Sequence, residues 1–298
     1  MNFKKLKYVV AVDRAGSVSA AAKRLNISQS AVTKAVADIE NDLGFAVFDR
    51  RAHGVSTTSA GRDFVDRAAR ILSDVDRLGS DMREGRRTRD LLLRIAVAPA
   101  SLEGLMNRSV ESLLVEWPDI RLHMRGGPLE TGIMLLRQGD IDVLVGPKSA
   151  LETEPGFVCS ELPPMRPFLY GRHRHPLQGT TRLSPQDIAA YPIIVPDIQG
   201  PLVTPLLNVL EFLGGNPLGR LNVIETYTIA ARVVERSDAV GVVLGNFAES
   251  RGFKRRFSIL DFDMGGALPM AVAWQKSQRI GRALTRFLDR LYEFPPTG

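Results

Sequence analysis

Residues 17–40 read SVSAAAKRLNISQSAVTKAVADIE, and this stretch decides how the rest of the chain is read. Ser17 follows Gly16 and is a good N-cap. Val18, Ala21, Ala22 and Leu25 then recur at helical spacing, Asn26-Ile27 interrupts them, and Ser28 offers a second cap. Ala31, Val32, Ala35, Val36 and Ile39 mark the expected buried face of a second helix. The alanines allow the two helices to cross closely. Two short helices joined by so tight a turn make a helix-turn-helix, whose second helix enters the DNA major groove. Its first turns carry Ser28, Gln29, Ser30, Thr33 and Lys34, side chains able to hydrogen-bond base edges or phosphates. An ordinary helical hairpin is the alternative on this stretch alone.

Working outward, Phe3 to Ala15 has one apolar stripe and is expected to pack behind the pair. After it, Phe45-Ala46-Val47-Phe48 and the polar run to Thr58 read as a two-stranded wing turning at Gly54. Arg50, Arg51 and His53 on that wing can reach phosphates or the minor groove. Arg50 has a structural ion pair as its other reading. Thr58 or Ser59 then caps a helix running to about Glu84. Phe64, Ala68, Ile71, Val75, Leu78 and Met82 recur in steps of four and three, with Val65 and Leu72 beside them. Asp66 and other charges are assigned to the remaining faces. The seam, with Phe64, Ile71, Val75 and Leu78 as its main residues, predicts pairing with a second copy; packing on its own domain is the alternative. Residues 85–90, GRRTRD, read as a polar hinge.

The chain has 298 residues, enough for two domains. Residues 1–90 hold 17 Lys and Arg against 12 Asp and Glu, a net +5. The whole chain is +6, so the other 208 residues carry +1, and the basic excess lies where the helix pair lies. The start MNFKKLKY lacks the apolar core of a secretion signal, and no apolar run approaches a membrane span. The single cysteine, Cys159, permits no internal disulfide and fits a reducing, cytoplasmic compartment.

Beyond residue 91, strand-like and helix-like stretches alternate, which predicts an α/β sheet domain. The final helix is expected from Ser277 to Tyr292. The chain carries no nucleophile elbow, phosphate-binding loop or dinucleotide fingerprint, so no catalytic residues, cofactor or metal are expected. His173 and His175 read as a solvated basic turn, a metal pair being the other reading. An α/β enzyme with a helical appendage remains the alternative class.

The stretches AAAKRLNISQSAVTKAVADIENDLGFAVFDRR and TTSAGRDF resemble the LysR-type transcriptional regulators over their winged helix-turn-helix and the start of their linker helix. RQGDIDVLVG and His175-Pro176-Leu177 resemble shorter family signals, the latter a turn between two subdomains. Val47 stands where the family usually has Leu, and no proline follows Leu244-Gly245-Asn246. The resemblance implies a winged helix-turn-helix domain over 1–58, a linker helix and hinge over 59–90, and an effector domain over 91–298 like a small periplasmic binding protein. Its subdomains would be 91–162 with 268–298, and 163–267. A small molecule would bind between them, modulating a sequence-specific regulator of double-stranded DNA. The family also implies a dimer of dimers, with RNA polymerase as a further partner and no membrane. For the effector, Ser101 would cap a helix and offer an anion site, with Thr131, Lys148, Thr204 and Thr226 facing it. Each could equally be a cap or a surface residue; together they favour a small polar organic ligand, a carboxylate foremost.

Overall fold

The computed structural model describes residues 2–51, 54–84, 90–98, 106–198, 202–212, 219 and 221–293. They form two units: Met1–Arg89 with Met134–Asp140, and Asp90–Ile133 with Ile141–Gly298. The expected hinge lies almost entirely outside the described residues, as do His53 and Ser101.

In the first unit, α1 (Phe3–Ala15), α2 (Val18–Leu25) and α3 (Gln29–Leu43) precede β1 (Phe48–Arg51), β2 (Gly54–Thr57) and α4 (Ser59–Glu84). Every early helix is bounded as its sequence dictates. Asn2, Ser17 and Ser28 accept backbone N–H groups at the three N-termini, and Gly16, Asn26 and Gly44 close the C-termini in the left-handed region. Val9, Val12, Val32, Ile39, Val47 and Val65 are fully buried in the shared core. Each contributes about 1.5–3 kcal/mol by leaving water. The wing pairs antiparallel, Phe48 opposite Thr57 and Arg51 opposite Gly54. Gly54 is required: its φ is +106°, and a Cβ there would meet the Gly16 carbonyl oxygen at 2.4 Å. The neighbouring Val55 N–H donates to that same oxygen at 2.9 Å.

Three expectations change here. Ala31 is exposed, because the helix turns that position away from α1; the buried set is Val32, Ala35 and Ile39. Asp66 is buried rather than on a solvated face. Ala68 belongs to the head's own core with Val65, Ala69 and Leu72, and Phe64 packs partly against it. The linker helix thus has one apolar face for its own domain, and Ile71 and Val75 lie outside that face, 46% and 44% exposed.

The second unit holds two five-stranded sheets. In the first, β3 (Leu92–Val97) pairs in parallel with β4 (Arg121–Gly126) and β5 (Val143–Pro147). β12 (Leu268–Gln275) runs antiparallel to β5 and to β6 (Phe157–Met165). In the second sheet the order is β11-β7-β10-β8-β9, with β7 (Pro167–Arg172), β8 (Ile193–Val195), β9 (Leu221–Val223), β10 (Val240–Leu244) and β11 (Phe257–Leu260). In chain order, α5 (Asn107–Glu116), α6 (Leu129–Arg137) and α7 (Lys148–Leu151) fall between strands of the first sheet. Between strands of the second fall α8 (Pro185–Ala189), α9 (Thr204–Phe212), α10 (Tyr227–Arg236), α11 (Gly245–Ala248) and α12 (Arg251–Lys254). The chain passes from the first sheet to the second between β6 and β7 and returns between β11 and β12, so two crossovers join the sheets.

β6 continues to Met165, three residues past the expected subdomain boundary. The turn at His175-Pro176-Leu177 follows β7 and so lies inside the second sheet's region rather than between the two. The last helix, α13 (Arg282–Glu293), begins five residues later than the sequence suggested. Gln278 N–H closes a turn on the Gln275 carbonyl, and the helix starts only after Gly281, with Ala283 N–H donating to the Asp90 carbonyl.

Candidate nucleic-acid interface and effector region

Recognition by α3 needs a rigid helix with one face in the core and its first turns bare. Ser28 Oγ accepts the Ala31 N–H at 3.2 Å and lies 3.0 Å from Ser30 Oγ. Gln29, Ser30, Thr33 and Lys34 are all exposed on the side away from Val32, Ala35 and Ile39. The helix is braced from behind by Lys5 on α1, whose Nζ lies 2.9 Å from the Asp38 carboxylate. That pair holds the Lys5 ammonium above and the Asp38 carboxyl below their ordinary values, chiefly through the hydrogen bond between them.

The wing is fastened by residues that sequence reasoning passed over. Glu40 Oε1 accepts the N–H groups of Val47 at 2.7 Å and Phe48 at 3.1 Å. Asp13 Oδ1 accepts the Thr57 hydroxyl at 2.5 Å and lies 2.9 Å from Arg62 Nη2, which ties α1 to the wing and to α4. On the wing, Arg51 is exposed and its Nε donates to Ser56 Oγ at 2.7 Å. Arg50 is the third residue of β1, opposite Val55. Arg14 reaches Gln138 Oε1 at 2.9 Å and Asp140 at 2.5 Å, and Ser73 Oγ donates to the Gly139 carbonyl, all within the first unit.

The effector residues are spread over the second unit. Thr131 is exposed on α6. Lys148 begins α7, and its Nζ pairs with Glu161 of β6 at 2.7 Å, which raises the ammonium's pKa. Thr204 is the first residue of α9 and is exposed. Thr226 is the N-cap position of α10, exposed and without a side-chain capping bond. Thr204 and Thr226 follow strands of the second sheet, whereas Thr131 and Lys148 belong to the region of the first.

The two histidines part company. His173 Nδ1 lies 3.0 Å from Ser258 Oγ at the surface. His175 is buried, its Nδ1 accepting the Leu177 N–H at 3.1 Å while Nε2 faces the Asp238 carbonyl at 3.0 Å. That arrangement requires the neutral ring protonated on Nε2. Among the described residues, no group of three His, Cys, Asp or Glu side chains could hold a metal ion. Burial pushes the Cys159 thiol up, the direction of an unreactive cysteine. No helix among the described residues is long and apolar enough to cross a membrane.

A winged helix-turn-helix, a long linking helix and a two-sheet α/β domain define a class of effector-responsive transcription regulators. Residues 3–62 match the bacterial regulatory helix-turn-helix protein, lysR family, and residues 87–295 match the LysR substrate binding domain. The chain belongs to the LysR family. It is 27% identical over 222 residues to the HTH-type transcriptional regulator MetR of Salmonella typhimurium, 73% of this chain and 67% of that one. Its fold is like that of full-length CbnR complexed with its target DNA, with a TM-score of 0.57 at 22% identity over 98% of this chain and 99% of that one. A full-length OxyR variant from Pseudomonas aeruginosa gives 0.60 at 17% identity, over 98% and 97%. The protein is a DNA-binding transcriptional regulator with an effector-binding domain, and its family is one of regulators rather than enzymes.

Proposed function

We propose that α3 reads operator sequence through Gln29, Ser30 and Thr33, with Ser28 capping the helix, while Lys34, Arg50, Arg51 and His53 hold phosphates. The observation that carries this is the bare first two turns of α3, set opposite a fully buried face and clamped by Lys5. The protein works as a homo-oligomer in the cytoplasm. Ile71 and Val75, left exposed by the head's core, would pair linker helices together with Leu78, and Phe64 would contribute its uncovered part. A second pairing, through the α/β domains, would give the dimer of dimers and set the spacing of the heads, with RNA polymerase met at the promoter. A small organic effector bound between the two sheets would bias that geometry through its differential affinity for the two states. Ser101, Thr131, Lys148, Thr204 and Thr226 are its proposed contacts, and a carboxylate its proposed charge.

The reading is tested by selecting random duplex DNA on the full-length protein. It predicts enrichment of a partly palindromic sequence, since two-fold related heads read two half-sites. It also predicts that Lys34→Ala flattens the salt dependence of binding by up to about one unit of slope. Failure to enrich any sequence would overturn it.

A further inference from the structure

Arg137-Gln138-Gly139-Asp140 open the RQGDIDVLVG stretch, and the proposed function gives them no task. Residues 134–140 stand with the head in the first unit, although the residues before and after them belong to the second. α6 therefore begins in one unit and ends in the other. Its end is a rigid cap. The N–H groups of Gly139 and Asp140 donate to the carbonyls of Leu136 and Leu135 at 3.1 and 3.0 Å, and Gly139 takes a φ of +73° to close the motif. The cap sets its polar groups against α1 and α4. Gln138 Oε1 accepts Arg14 Nε at 3.1 Å and Arg14 Nη2 at 2.9 Å, and Asp140 pairs with the same guanidinium. The Gly139 carbonyl accepts the Ser73 hydroxyl at 3.1 Å. Arg137 is among the cations that act on the Asp66 carboxylate.

This contact is polar and incompletely satisfied. Gln138 is fully buried, yet its Nε2 has no hydrogen-bond partner among the described residues. The same holds for Asp66 Oδ1 and Arg70 Nε, one and two turns before Ser73 on α4. Of the four buried side-chain atoms so left among the described residues, three lie here. A permanent interface pairs such atoms, because each one left bare is costly. Parting the surfaces would return them to water, which offsets the loss of the Arg14 and Ser73 bonds. The Arg14–Asp140 pair adds little, since its side chains are 39% and 32% exposed.

We propose that the turn at Gln138–Asp140 is a releasable latch: closed, it holds α1 and the linker helix to a segment of the effector half, and open, it frees the head to move. None of its residues is a proposed effector contact. Its consequence for DNA rests on the operator reading above. A latched head presents α3 at a fixed place, so two half-sites are bound together at one spacing, whereas a released head tolerates others.

The test uses the full-length protein carrying Cys159→Ser, so that the only thiols are introduced ones. A Cβ built on Gly139 would lie 3.8 Å from the Ser73 Cβ, a separation that a disulfide spans. Ser73→Cys/Gly139→Cys should therefore close within one chain on mild oxidation and reopen with reductant, read by mass spectrometry of the linked peptides. Adding Arg14→Ala/Asp140→Ala, at part-exposed positions, should slow closure at least about fivefold. With Gly139 left in place, the same alanine pair should speed hydrogen exchange of the 134–140 peptide by about tenfold, a reading independent of any strain from a cysteine at a left-handed position. On an operator with one half-site moved by about five base pairs, half a turn, the locked protein should lose at least about tenfold more affinity than the alanine pair loses. The latch is overturned by no closure, by closure only between chains, by closure or exchange unaffected by the alanine pair, or by equal losses on the displaced operator. A selection that yields no operator defeats the DNA reading alone, and the cross-link and exchange rates then decide the latch.

Discussion

Glu40 fixes the wing with one carboxylate oxygen that accepts two backbone N–H groups. Glu40→Ala leaves both donors without a partner in a part-buried place, and should lower the stability of the head by about 2 kcal/mol. Thermal unfolding of the isolated substitution measures this, and an unchanged midpoint would mean that the wing holds itself. Asp66 makes the opposite case. Burial pushes its carboxyl above the ordinary value, and Oδ1 has no hydrogen-bond partner among the described residues even though Arg62 stands 3.8 Å away. The folded state therefore favours the protonated acid. The stability linked to Asp66 is complete below the ordinary carboxylate range and is lost as pH rises through its elevated value. Asp66→Asn should accordingly raise the free energy of unfolding at pH 7 by about 0.5–1 kcal/mol, and the advantage should vanish near pH 3. An equal gain at both pH values would exclude this cause. Neither residue was legible in its role. An acid among other charges on a helix looks solvated, and only the fold reveals which charges are turned inward.

At the scale of elements, the helix boundaries of the head were readable, because serine caps and left-handed Gly and Asn residues act locally. The faces of α4 were not. Steps of three and four along one helix mark an apolar seam without saying what it meets, and the side chains divide between two destinations. Val65, Ala68, Ala69 and Leu72 go to the head, and Ile71 and Val75 stay exposed. A helix this long was bound to be amphipathic; only the position of α1 decides which stripe is covered. Ile71→Asp should therefore leave the head folded and break the proposed pairing, since a charge in an apolar seam is strongly unfavourable. Light scattering of the full-length variant should show a lower mass than the wild type. The same mass with the same DNA affinity would rule out the paired linker helices.

For the whole molecule, alternation of strands and helices announced an α/β domain, but it could not give strand order. A recess at the ends of β8 and β10 brings together Tyr170, Ile194, Tyr227 and Val243, which are distant in sequence and meet only because β10 is inserted between β7 and β8. The effector candidates Thr131, Lys148, Thr204 and Thr226 stand at or near helix starts, positions that any α/β protein supplies in number, and Lys148 is held by Glu161. The head was more legible than the pocket because its chemistry lies in one continuous stretch. Sequence-specific DNA binding therefore depends on α3. Its most direct test is competition binding at fixed salt, selected operator against random duplex, for the wild type and the Gln29→Ala/Ser30→Ala double variant. Loss of base contacts worth about 1–3 kcal/mol should cut the specificity ratio at least about fivefold while affinity for random DNA is retained. An unchanged ratio in the double variant would contradict the claim that α3 reads the sequence.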